Sequence, residues 1–105
     1  MDNMKLSLSL DHDGNVHLRT IGEIFTPPLT ETSKPEVSDV NAQKGRPSRF
    51  VLQPGVYEYH FYVDNGSGAF TVAVTPDGTQ EPIASKHFDT KFGFVGKVLR
   101  FEVKA

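Results

Sequence analysis

The chain contains no cysteine and no tryptophan. Without cysteine there is no disulfide framework, no thiolate zinc site and no cysteine nucleophile. A single domain of 105 residues closes one hydrophobic core without such staples, though not two. No sign of charge dominates. Lys and Arg number 11 against 13 Asp and Glu, so nucleic-acid binding finds no basic surplus and there is no acidic tail. No apolar run approaches the length of a membrane-spanning helix. No glycine-rich loop opens a helix, so a phosphate cradle is missing, and no G-x-S-x-G elbow is present. The first residues, MDNMKLSLSLDHDG, alternate Leu with Ser instead of forming an apolar signal core. A cytoplasmic protein is the expectation, with a mature form trimmed of its signal as the alternative.

What is present is alternation. With 37% hydrophobic and 23% charged residues the chain reads as soluble and globular. Leu6, Leu8 and Leu10 alternate with Ser7 and Ser9, the pattern of a half-buried strand. Asp11 to Asn15 is dense in turn formers, and Val16, Leu18 and Thr20 alternate again. The first twenty residues therefore predict a hairpin, with Gly22 marking a candidate bulge. Residues 49–53 form a short strand ending at Pro54-Gly55. The central stretch follows, with Tyr57, Tyr59, Phe61 and Val63 on one face and Glu58, His60 and Tyr62 on the other. Buried tyrosines there need hydroxyl partners. Asn65-Gly66 predicts a tight hairpin turn back into Phe70, Val72 and Val74. Thr75 to Gly78 is another turn. Residues 79–85 read as an edge strand containing Pro82. Residues 86–96 read as a loop carrying Phe88, Phe92 and Phe94, and residues 97–103 as a closing strand.

Residues 26–49 are poor in large apolar side chains and hold Pro27, Pro28, Pro35 and Pro47. They are too long for an ordinary loop and join pieces too small to be domains, so they are not a linker. Ser33 with Glu36 three residues on is a capping-box pattern, so a short helix running towards Gly45 and a mobile surface loop are the two readings. Only Val37 and Val40 would give that helix an apolar face. About seven short strands with no strong helix predict an all-β, single-domain, antiparallel β-sandwich of immunoglobulin-like form spanning 1–105.

The run from Leu52 to Asp64, LQPGVYEYHFYVD, resembles one strand pair of the glycogen- and starch-binding modules of AMP-activated kinase β subunits and branching enzymes. Those are immunoglobulin-like sandwiches with a similar L-P-x-G-x-Y-x-Y-K-F-x-V-D-G run. The resemblance implies a β-sandwich and binding of an α-glucan. The family's glucan-contacting Lys is His60 here, and its Trp platform has no counterpart.

The candidate ligand-binding set is Glu58, His60 and Tyr62, because an outward aromatic beside polar groups can stack on a sugar or anchor a protein. The competing expectation is that residues 26–49 cover this face. Asp11, Asp13 and Asn15 resemble the start of a calcium loop. The sixth and twelfth positions, Val16 and Gly22, exclude an EF-hand and leave a looser turn site or a plain polar turn. His12, His17, His60 and His87 form no spaced zinc pair, though His17 and His60 would be neighbours if their strands shared a sheet. No catalytic residue and no cofactor is expected. The leading functional expectation is a non-catalytic binding or assembly module working through an exposed sheet face or an edge strand. Its partner is a protein or a second copy. A carbohydrate-binding module is the alternative, and a small metal-dependent or hydrolytic enzyme the third.

Overall fold

The structure is a computed structural model and describes residues 3–12, 18–64, 68–90 and 96–104. Seven strands are formed: β1 (Met4–His12), β2 (Arg19–Phe25), β3 (Ser48–Leu52), β4 (Gly55–Asp64), β5 (Gly68–Pro76), β6 (Ala84–Thr90) and β7 (Lys97–Val103). They build two antiparallel sheets, one ordered β3-β1-β5-β6 and the other β2-β4-β7. The expected all-β, two-sheet architecture is thus found. No helix occurs among the described residues.

The core lies between the sheets and is supplied by strict alternation. Leu6, Leu8, Leu10, Phe50, Leu52, Phe70, Val72 and Val74 come from the four-stranded sheet. Tyr57, Tyr59, Phe61, Val63, Leu99, Phe101 and Val103 come from the other. Each such side chain contributes about 1.5–3 kcal/mol on burial. Rings bridge the layers at both ends: Phe61 meets Phe88 edge-on at 5.3 Å, and Phe101 stacks on Tyr57 at 5.7 Å while touching Phe50 at 6.5 Å.

The pairing differs from the sequence expectation in an instructive way. β1 and β2 do not form a hairpin; β1 lies between β3 and β5, whereas β2 pairs only with β4. The central stretch is not a hairpin either, because β4 and β5 belong to opposite sheets. Its Asn65–Ser67 turn lies outside the described residues. In both cases consecutive strands lie in opposite sheets, the relation of an arch and not of a hairpin. An arch needs the same turn residues and the same one-sided alternation as a hairpin, so the local pattern does not separate them. Only β5 and β6 are consecutive and paired. The constant-type immunoglobulin order, ABED against CFG, has three such neighbours.

Three further expectations change. Gly22 is not a bulge: the β2–β4 register runs unbroken through Ile21–Tyr62, Gly22–Phe61 and Glu23–His60. Glycine is required there by close approach, since a Cβ would lie 2.4 Å from the His60 carbonyl oxygen and 2.6 Å from Phe61 Cβ. The sixth strand starts after Pro82, not before it. The predicted strand over 79–85 is mostly turn, and residues 86–90, read as loop, are in β6. Pro82 lacks the N–H for ladder pairing, whereas Ala84–Thr90 supplies it. Phe92 and Phe94 lie outside the described residues.

The third change concerns residues 26–49. The capping-box residues are used locally instead: Ser33 Oγ accepts the Thr30 N–H at 2.7 Å, and Glu36 Oε1 accepts the Thr26 hydroxyl at 3.1 Å. From Glu36 to Gln43 the chain runs as a broken strap along the outer edge of β2. Ile24 N–H donates to Val37 O at 2.9 Å, Val40 N–H to Gly22 O at 2.9 Å, and Thr20 N–H to Ala42 O at 2.8 Å. Between them Asp39 adopts a left-handed φ of 57°, and the Asn41 side chain takes the Gly22 N–H at 3.2 Å, standing in for a backbone carbonyl. Val40 and Ala42 are buried, so the sparse apolar residues of this segment anchor a strap, not a helix.

Candidate functional site

The outer face of β2-β4-β7 carries the residues that the sequence singled out. Glu58, His60 and Tyr62 project from alternate positions of β4 and are flanked on both sides. The register builds rows across the sheet: Ile21 beside Tyr62, then Glu23–His60–Val98, then Phe25–Glu58–Arg100. His60 Nε2 lies 3.1 Å from Glu58 Oε1. A carboxylate only accepts, so this ring nitrogen carries the hydrogen. The Phe25 ring meets the imidazole edge-on at 5.4 Å. Arg100 approaches the other Glu58 oxygen at 3.9 Å with its side chain 67% exposed, a contact worth little. At the other end, one row beyond Ile21 and Tyr62, Arg19 pairs with Asp64 at 2.9 Å.

Ile21, Glu23, Phe25, His60 and Tyr62 line a shallow groove of about 540 Å³ between β2, the strap and β4. Its floor includes Gly22, and its rim includes Asp39 and Asn41 of the strap. Tyr62 is 39% exposed and Val98 37%. The strap lies beside the sheet, hydrogen-bonded to the β2 edge, and leaves this face open. The expectation that residues 26–49 cover Glu58, His60 and Tyr62 is therefore overturned.

Beneath the face is a buried polar network that ties the strap to the sheet. Tyr59 Oη contacts the Val40 carbonyl and lies 2.9 Å from Thr20 Oγ1, which also accepts the Ala42 N–H at 3.0 Å. The Val40 carbonyl can only accept, so the phenol proton goes to it and the threonine hydroxyl donates to the phenol oxygen. Burial raises the Tyr59 phenol far above its ordinary value, opposed in part by the bond to Thr20. Tyr57 is raised as well, by burial and by the Glu36 carboxylate, and its hydroxyl donates to Gln53 O at 2.7 Å. Both core tyrosines thus have the partners that the alternation demanded.

Of the calcium-like set only Asp11 lies among the described residues. Asp11 is exposed and faces the Lys44 ammonium at 3.5 Å, which also bonds the His12 carbonyl at 2.7 Å. Asp13 and Asn15 lie outside the described residues, as does His17, so its proposed neighbourhood with His60 is not described. Among the described residues no three metal-ligating side chains converge. His87 stands on the other outer face, its Nδ1 3.1 Å from Thr71 Oγ1.

Sequence reasoning missed Ile21, Glu23, Phe25, Asp39, Asn41, Val98 and Arg100 as neighbours of the β4 triad. The alternation of β2 and β7 marked which side chains point outward. It did not mark which strands flank β4. Comparison with family models, with curated proteins and with solved structures gives no match to this chain.

Proposed function

We propose that this domain is a non-catalytic binding module that engages a protein partner through the outer face of β2-β4-β7. The reading rests on one observation: Tyr62, with Ile21 and Val98 beside it, stays accessible at the edge of an open groove although a long segment passes close by. An exposed tyrosine ringed by smaller apolar and charged groups has the composition of an interface anchor, and Glu23, Glu58, His60 and Arg100 supply the polar rim. The contacts of the Glu58–His60 pair are Arg100 and Phe25. Neither is a nucleophile, which favours recognition over hydrolysis.

A second reading is an α-glucan-binding surface, favoured by the Asp39 and Asn41 side of the groove, where polar groups flank an aromatic ring. Here Tyr62 and His60 take the places of the platform and the lysine of the glycogen-binding modules.

One experiment separates the two. Amide chemical shifts of the labelled domain are followed while maltoheptaose is added. Shifts confined to Ile21, His60, Tyr62 and Val98 favour the glucan reading; their absence favours a protein partner. In parallel, immobilised wild type, Tyr62→Ala and Thr71→Ala are exposed to extract from the source cells. A partner held by wild type and Thr71→Ala but lost with Tyr62→Ala supports the protein reading. Captured proteins that are the same for all three would refute it.

A further inference from the structure

We propose that the outer edge of β7 is a self-association site, at which a second copy of this chain adds its own β7 antiparallel. Four strands end the two sheets: β3, β6, β2 and β7. Three are protected. The β2 edge is occupied by the strap. β6 carries Lys86 on its core-facing side, opposite buried Val72, with Nζ 5.3 Å from the Phe88 ring centre. An inward-pointing lysine on an edge strand is a known bar to pairing. β3 has five residues and sits between Pro47 and Pro54.

Among the described residues β7 has none of these protections between Val98 and Lys104. It contains no proline, its core-facing residues are Leu99, Phe101 and Val103, and among the described residues no backbone hydrogen bond joins it to any strand but β4. Its outward residues are Val98, Arg100, Glu102 and Lys104. In an antiparallel pair centred on Phe101, Arg100 of each copy faces Glu102 of the other, and Val98 faces the stem of Lys104. Leu99 then faces Val103 and Phe101 faces its own counterpart, continuing the core. Sliding the pair by two residues in one direction sets Arg100 against Arg100. Sliding it in the other sets Glu102 against Glu102 and Arg100 against Lys104. Opposite charges across a strand pair stabilise it and like charges oppose it, so one register is selected. The contact is isologous and closes at two copies. It makes one six-stranded sheet, β2-β4-β7-β7-β4-β2, with both Tyr62 grooves on the same side. This association does not depend on what the grooves bind.

Sedimentation equilibrium of the full chain tests it. The wild type is expected to show a weak monomer–dimer equilibrium, the area of one strand edge being small. Arg100→Glu and Glu102→Arg, each placing like charges in apposition twice, should raise the dissociation constant by about tenfold or more. The double variant, with the charges exchanged, should return it towards the wild-type value. Circular-dichroism melts confirm that each variant is folded. A wild type that stays monomeric at its highest soluble concentration overturns the proposal, as does a dimer indifferent to both single substitutions or one that the exchange fails to restore. Tyr62→Ala should leave the dimer intact; a dimer lost with that substitution places the contact on the groove face and not on β7.

Discussion

The two outer faces of this sandwich are built from the same alternation and end in different chemistry. The four-stranded sheet turns the short Ser7, Ser9, Thr71, Ala73, Thr75 and Ser85 outward, with Lys5, Asp11, Arg49, Val51, His87 and Asp89 around them. The three-stranded sheet turns out Ile21, Glu23, Phe25, Glu58, His60, Tyr62, Val98 and Arg100. Short hydroxyls offer little area to bury, whereas an exposed aromatic such as Tyr62 is the kind of side chain that anchors interfaces. The core-facing halves do not differ in this way, as both are aromatic and branched aliphatic. Selection for packing acts on both inner faces alike, and the asymmetry appears only where packing makes no demand.

The contrast depends first on the close approach of β2 to β4. Gly22→Val should cost about 2–3 kcal/mol, because its side chain must displace the backbone at His60 and Phe61. Urea unfolding measures the loss. Enlarging a residue on the outer face of the four-stranded sheet, Ala73→Val, should stay within about 0.5 kcal/mol of wild type.

Next is the network holding the strap. Tyr59→Phe leaves the buried Val40 carbonyl without the phenol donor, and a loss of about 1–2 kcal/mol is expected. Amide exchange at Val40 and Ala42 should quicken more than exchange in β1 or β5. The same residue sets an alkaline limit. Its phenol ionises more readily unfolded than folded, so the stabilisation is complete below about pH 10 and falls as pH rises above that value. In Tyr59→Phe the alkaline limb should be shallower.

A gain is expected at the end of the four-stranded sheet. His12 is 5% exposed, and among the described residues neither ring nitrogen has a hydrogen-bond partner. His12→Leu should stabilise by about 1 kcal/mol, read as a higher midpoint in thermal melts. An unchanged or lowered midpoint would mean that the imidazole meets a need of its own. The smallest effect on stability belongs to Tyr62→Ala, within about 0.5 kcal/mol of wild type, since its ring packs on the surface. Its effect should be on partner binding alone.

Much of the fold was legible because burial imposes a period of two. Every inward position expected in β1, β4, β5 and β7 is buried, from Leu6 to Val103. The Glu58–His60–Tyr62 face was legible for the same reason. Pairing was not. Asp11 to Asn15 and Asn65-Gly66 signal reversal, and a reversal leads equally to a neighbour in the same sheet or a strand across the core. The strap was hidden for another reason. Val37 and Val40 fall at a helical spacing and Val40 and Ala42 at a strand spacing, because the left-handed Asp39 breaks the strand between Val37 and Val40.

The sequence by itself determined the class of fold, the inward and outward side of most strands and the absence of thiol chemistry, since each follows from local composition and alternation. Tertiary structure decided what contacts share across distance: that β2 and β7 flank β4, that residues 36–43 close an edge and leave a face open, and that among the described residues β7 pairs with β4 alone. Local pattern sets which way a side chain points. Only the closing of the two sheets, where non-local burial outweighs local preference, sets what it meets.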